Sequence, residues 1–139
     1  MTASGKRFDD AIVGARSGAT QARGAAGEAL AARFLTQRGL IVIARNIRCR
    51  GGELDLIALH GQTLVFIEVR VRSSRAFGGA AASITPTKQR RLLHAAQWWL
   101  SGAGRAHAQR PMRFDAVLLE SLDPARLEWL TNIISADGW

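Results

Sequence analysis

From Gly24 to Arg38 the apolar positions recur at the helical period. Leu30, Ala31, Phe34 and Leu35 share one face, Arg33 and Gln37 lie opposite, and Gly39 supplies a stop. At ~100° per residue, Glu28 falls only about 20° from Leu35, on the flank of the apolar face. A carboxylate there is expected to be partly buried and to need a partner. Favourable placement near the positive helix N-terminus is the alternative. Leu40 to Ala44 is then a continuous apolar run, expected as a buried strand. It leads into the basic stretch Arg45-Asn46-Ile47-Arg48-Cys49-Arg50, which Gly51-Gly52 interrupts.

Two further apolar segments, Glu53 to His60 and Thr63 to Arg72, flank Gly61-Gln62, a pair suited to a type II′ hairpin turn. If those two residues are the loop, His60 faces Thr63. Asp55 then comes opposite Glu68, and Glu53 opposite Arg70. Strand alternation puts Glu53, Asp55, Glu68, Arg70 and Arg72 on one face, continued toward the turn by Ile57, Leu59, Leu64 and Phe66. Leu54, Leu56, Ala58, Val65, Ile67, Val69 and Val71 take the other face. Like charges facing each other at the rim of an apolar layer repel strongly unless a cation intervenes. Either an Arg, in an ordinary salt-bridge cluster with Arg70 and Arg72, or a hard divalent ion would serve.

Thr85 as cap and Pro86 at the first position signal a second helix, with Leu92, Leu93, Ala96, Trp99 and Leu100 as its apolar stripe. Its first turns carry Lys88, Arg90 and Arg91, either an anion site or a solvated basic face. Trp98 and Trp99 are candidates for stacking on bases, but core packing is the favoured reading of both. Ser101 to Arg110 is expected as a loop. Met112 to Leu119 and Leu127 to Ile134 are expected as strands, with Asp123-Pro124 in the turn between them. Residues 1–22, rich in Gly, Ala, Ser and charge, are expected as a mobile basic tail before a single domain over 23–139.

Charge sharpens this picture. The net charge is +8, and of the 19 basic residues only Lys6 and Lys88 are lysines. Arg suits bidentate phosphate binding, although a GC-rich genome also favours it. The excess of positive charge raises the expectation of nucleic acid, an acidic partner or a membrane surface. Between Ala29 and Phe114 the only acidic residues are Glu53, Asp55 and Glu68. Acids held at three nearby positions in so basic a segment are not generic surface residues. A single cysteine, Cys49, gives no disulfide framework, and three scattered His add no zinc pattern. No apolar leader or membrane-length run is visible, so a cytoplasmic location with no membrane insertion is expected.

One set of motifs then points to a family. Gly27-Glu28, Arg45-Asn46, Gly52-Glu53-Leu54-Asp55-Leu56-Ile57-Ala58, Val65-Phe66-Ile67-Glu68-Val69-Arg70-Val71-Arg72, Phe77-Gly78 and Lys88 resemble, in order and spacing, the YraN-like bacterial family. That family is similar to archaeal Holliday-junction resolvases of the PD-(D/E)xK, restriction-endonuclease-like superfamily. The resemblance implies an α/β fold with an α-β-β-β-α-β core and a mixed central sheet flanked by helices. It assigns the helical acid to Glu28, the motif Asp to Asp55 and the second acid to Glu68. The motif Lys falls on Arg70, a departure from pattern.

The resemblance further implies phosphodiester hydrolysis assisted by Mg²⁺ or Mn²⁺, held by Asp55, Glu68, the Val69 carbonyl and Glu28. Arg70 is too weak an acid to serve as a base at neutral pH but is a good phosphate donor. Lys88, Glu53 or a second metal would have to replace the missing Lys, or activity is lost. Arg45, Arg48, Arg50, Arg72, Arg75, Lys88, Arg90 and Arg91 are the candidate phosphate contacts, with DNA, branched and recognised by shape, as the expected partner. A homodimer follows by analogy with the resolvases. Three functions stay open: a structure-selective nuclease, an inactive nucleic-acid-binding module on the same fold, and a basic face docking an acidic protein or membrane.

Overall fold

The first helix ends for a reason visible in its backbone. Gly39 adopts φ +93°. This turns the chain so that Leu40 N–H reaches the Leu35 carbonyl at 3.1 Å and Gly39 N–H reaches that of Thr36 at 3.1 Å. This is the Schellman closure expected of a Gly past a helix end. Leu35 and Leu40 meet in one buried cluster.

In this computed structural model, residues 18–72 and 84–134 are described. The elements run α1 (Gly18–Gln37), β1 (Ile41–Cys49), β2 (Gly52–His60), β3 (Thr63–Arg72), α2 (Pro86–Leu100), β4 (Met112–Glu120) and β5 (Leu127–Leu130), with short 3₁₀ turns at Arg105–His107 and Pro124–Arg126. The five strands form one sheet in the order β1-β2-β3-β4-β5. The β3–β4 pair is parallel and the other three are antiparallel. The α-β-β-β-α-β order read from the chain is the observed one, with β5 added at the edge.

Two apolar layers cover the sheet. Ala31, Ala32 and Leu35 of α1 pack on Leu56, Ala58, Val65, Ile67 and Val117. Leu92, Ala95, Ala96 and Trp99 of α2 pack on Leu54, Ile57, Leu64, Phe66 and Phe114. Phe66 lies stacked on Phe114 at 5.0 Å and edge-on to Trp99 at 6.3 Å. The helical stripe of α2 is rotated from the expected one. Ala95 is buried, while Leu93 and Leu100 are only half-buried. Thr85 caps α2 as expected, accepting from Lys88 N–H at 3.2 Å.

Several boundaries differ from expectation. The α1 helix begins at Gly18 rather than Gly24, since Ala19, Gln21, Ala22 and Arg23 are good helix formers and continue the helix without an apolar period. Residues 18–22 are therefore helical rather than tail, and 1–17 lie outside the described residues. The β1 strand runs through the whole basic stretch to Cys49; as an edge strand it can carry charge on its open side. The β5 strand stops at Leu130, four residues short of expectation, where Asn132 takes φ +58°. Beyond it, Asp115, wholly buried, binds the chain back. Its carboxylate accepts from Arg113 Nε at 3.1 Å, Trp129 Nε1 at 3.0 Å and Asn132 N at 2.9 Å, so a buried charge is compensated on both oxygens.

A buried carboxylate cluster as candidate functional site

The β2–β3 hairpin has the expected turn. Gly61 takes φ +63°, and the pairs run from His60↔Thr63 to Leu56↔Ile67 in the expected register. There the ladder stops. Asp55 and Glu68, expected to face each other across it, are not ladder partners, and neither are Glu53 and Arg70. The strands part instead, and Val69 N–H, which would have joined a ladder, donates to Asp55 Oδ2 at 2.7 Å. β3 continues from this point paired to β4, with Glu68 beside Ala116 and Val69 beside Val117. Asp55 thus occupies the split between two strands that belong to opposite halves of the sheet.

The reason Asp55 can point there lies in the strand phase. Leu54 and Ile57 both pack on the α2 side, whereas Leu56 packs on the α1 side. Simple alternation would have put Leu54 and Leu56 together, as the sequence reading did. The reversal falls at Asp55. On β1 the partners of Leu54 and Ile57, namely Ile47 and Ala44, both pack on the α2 side as well. Both strands therefore slip phase at the same rung, which by count pairs Asn46 with Asp55. Asn46 holds φ +52°, a left-handed conformation that Asn tolerates better than most residues. Sequence reasoning missed this role for Asn46. The available signal was the Asn itself, a residue that visits the left-handed region more readily than most.

Two glycines bring the helices close enough to complete the site. A Cβ on Gly27 would collide with Val71 Cγ2, so α1 rests directly on β3 and sets Glu28 against the split. A Cβ on Gly52 would strike the Arg91 carbonyl, so β2 starts in contact with the α2 backbone.

Glu28, Asp55 and Glu68 consequently share one half-buried cluster, from α1, β2 and β3. Burial pushes the Glu28 carboxyl up to about 8, and the charge of Asp55 and a hydrogen bond to it add to the effect, with Arg48 opposing. Glu68 is pushed up to about 8 as well, by burial first and then by Asp55, with Arg70 opposing. Asp55 is also raised by burial, but Val69 N–H and the hydrogen bonds from Glu28 and Glu68 favour its ionised form. With both glutamates pushed up to about 8 and hydrogen-bonded to Asp55, the three carboxyls share protons. Among the described residues, Arg48 and Arg70 oppose this upward shift without cancelling it.

The neighbouring cations are spoken for in part. Arg70 Nε lies 3.4 Å from Glu68 Oε2, yet it is buried without a hydrogen bond of its own. Arg48 pairs at 3.7 Å with Glu53, whose side chain is 52 % exposed at the edge of the cluster. Arg45, Arg50, Arg90 and Arg91 are exposed, and Lys88 stands on the first turn of α2. Arg72 ends β3; its side chain lies outside the described residues, as do Arg75, Phe77 and Gly78 in full.

As a donor set, two glutamates and an aspartate match the chemistry of a hard divalent cation, which would displace the shared protons. Among the described residues no group of three or more His, Cys, Asp or Glu side chains is placed so that it could hold a metal ion as it stands. Binding therefore requires the glutamates to exchange their hydrogen bonds to Asp55 for a shared ligand. No helix among the described residues is long and apolar enough to cross a membrane.

A UPF0102 protein of Methylobacillus flagellatus is 50% identical over 109 residues, covering 78% of this chain and 93% of its own. One from Cupriavidus taiwanensis is 54% identical over 120 residues, covering 85% and 86%, and one from Serratia proteamaculans is 50% identical over 117, covering 84% and 97%. The profile described as "Uncharacterised protein family UPF0102" matches residues 27–119, taking in Glu28, Asp55, Glu68 and Lys88. The chain belongs to this family, the YraN-like family that its motifs resemble.

Proposed function

We propose that the protein binds nucleic acid and hydrolyses phosphodiester bonds in branched DNA with a divalent metal, Mg²⁺ or Mn²⁺, held by Asp55, Glu68, Glu28 and the Val69 carbonyl. The observation that carries this reading is the convergence of three carboxyls from three separate elements on the split between β2 and β3, all raised above the usual carboxylate range by burial. Among the described residues, Arg48 and Arg70 do not offset the burial of the glutamates, whereas buried Asp115 has Arg113 and two N–H donors on its carboxylate. The likeness of the motifs to the resolvase branch of the PD-(D/E)xK superfamily points the same way.

The chain's own residues divide the work. Asp55 is fixed by Val69 N–H and needs little reorganisation. Glu28 and Glu68 would give up their protons to hold the ion. Arg70, beside Glu68, donates to the phosphate rather than acting as a base. Exposed Arg45, Arg50, Arg90 and Arg91 would hold flanking phosphates, so affinity falls steeply with salt. A bound metal would neutralise charge on the phosphate and activate water. A homodimer, on the analogy of two-fold junction enzymes, belongs to the same proposal.

One observation favours a second reading, a binding module without activity: the motif Lys is Arg70, engaged with Glu68. Four-way-junction, flap, single-stranded and duplex substrates incubated with Mg²⁺ or Mn²⁺ separate the two. Cleavage by the wild type that disappears in Asp55→Asn supports the nuclease, and a gain in Arg70→Lys identifies what the Arg withholds. Binding without cleavage in all variants supports the module. Neither binding nor cleavage at low salt would overturn both.

A further inference from the structure

The two adjacent tryptophans of α2 have opposite fates. Trp99 is buried against Phe66 and Gly104. Trp98 is 52 % exposed, one of two large apolar side chains so exposed among the described residues. At ~100° per residue, Arg91, His94 and Trp98 fall within about 60° of one another, on a flank of α2 spanning about 10 Å. All three are exposed. The β1–β2 turn closes on this flank. A Cβ on Gly51 would lie 3.3 Å from the His94 ring, and Gly52 abuts the Arg91 carbonyl. Exposed Arg50 is thereby brought to the same edge. The α2 sequence contains no acidic residue, and Glu53, the acid nearest the turn in sequence, is paired with Arg48.

We propose that Arg50, Arg91, His94 and Trp98 form a strip that binds an unpaired nucleic-acid strand, with a base stacked on the Trp98 indole and phosphates on Arg50 and Arg91. This rests on the nucleic-acid reading above and specifies it: the ligand has at least one base free of its partner, as at a flap or junction. An isolated exposed indole beside cations suits a base with its neighbouring phosphates, because stacking is indifferent to base identity and Arg grips phosphate. A membrane-docking helix would instead expose a broad apolar face. Here the Leu and Ala face of α2 is buried against the sheet, and Trp98 is the lone apolar group on the flank.

The test follows binding of labelled oligothymidylate, a blunt duplex and anionic phospholipid vesicles to the full chain in EDTA. Wild type is compared with Trp98→Ala, Trp98→Phe and Arg91→Gln, each checked for unchanged circular dichroism. Trp98→Ala should weaken oligothymidylate binding about tenfold and duplex binding less than about twofold, with Trp98→Phe retaining most of the affinity. Arg91→Gln should weaken both ligands and lower the salt slope by about one. If wild type binds DNA but Trp98→Ala binds oligothymidylate equally well, or loses both DNA ligands alike, the strip is wrong while the nucleic-acid reading stands. Trp98-dependent binding to vesicles with Trp98-independent binding to DNA would assign the strip to lipid and overturn the proposal. If wild type binds neither DNA, the broader reading fails and the strip with it.

Discussion

Glu68→Gln should make the protein more stable, and increasingly so as pH rises. The Glu68 carboxyl is pushed from 4.5 up to about 8. In that window the folded state keeps a proton that the unfolded chain releases. Stability is then fully present below pH 4.5 and falls as pH rises toward 8, by up to ~1.4 kcal/mol per pH unit. The whole interval amounts to a ceiling of roughly 5 kcal/mol. Glu68 keeps 13 % of its side-chain surface in water and has Arg70 beside it, so roughly 2 kcal/mol is the expected size after relaxation and water entry. Gln reproduces the protonated form, including a donor toward Asp55, without a group to titrate. Urea unfolding followed by tryptophan fluorescence should give nearly equal stabilities near pH 4.5 and a variant more stable by about 2 kcal/mol at pH 8. Parallel wild-type and variant profiles across that range would refute the reasoning, because they would mean that the cluster ionises without penalty.

Three substitutions test how the site is held. Asn46→Gly should fold with near wild-type stability, whereas Asn46→Val should lose about 1–2 kcal/mol from forcing a β-branched residue into the left-handed region; equal losses would remove Asn46 from its positioning role. Gly52→Ala, whose methyl would meet the Arg91 carbonyl, should cost about 1–3 kcal/mol in urea unfolding because helix and strand backbones must separate, and an unchanged midpoint would contradict that packing. Asp115→Ala should cost about 3 kcal/mol or more, since Arg113, Trp129 Nε1 and Asn132 N–H lose their common acceptor. Fast hydrogen exchange at Asn132 should accompany it, and retained protection there would argue against the anchor.

Much of the scaffold was legible because single residues decide it: Gly39 for the stop of α1, Gly61-Gln62 for the hairpin and its register, Thr85-Pro86 for the start of α2. The half-buried position of Glu28 followed from its angle to Leu35. What could not be read was where the ladder would end. Alternation carried Asp55 across to Glu68, yet a paired phase slip at Asn46 and Asp55 turns the carboxyl into the gap between strands, and such a slip leaves apolar content unchanged. The length of β1 was hidden by its Arg residues, which an edge strand accommodates. The anchoring role of Asp115 was hidden because its partners come from β4, β5 and the segment beyond. Trp98 and Trp99 carry the same side chain, and only the rotation of α2 on the sheet separates them.

Glu28, Asp55 and Glu68 are proposed to form a divalent-metal site. Calorimetric titration of Mn²⁺ into the protein at pH 7, repeated in buffers of different ionisation heats, tests it directly. With Glu28 and Glu68 both pushed up to about 8, binding should be saturable, release roughly two protons per ion and be lost in Asp55→Asn. No binding at millimolar metal, or binding that releases no protons and survives Asp55→Asn, would contradict it.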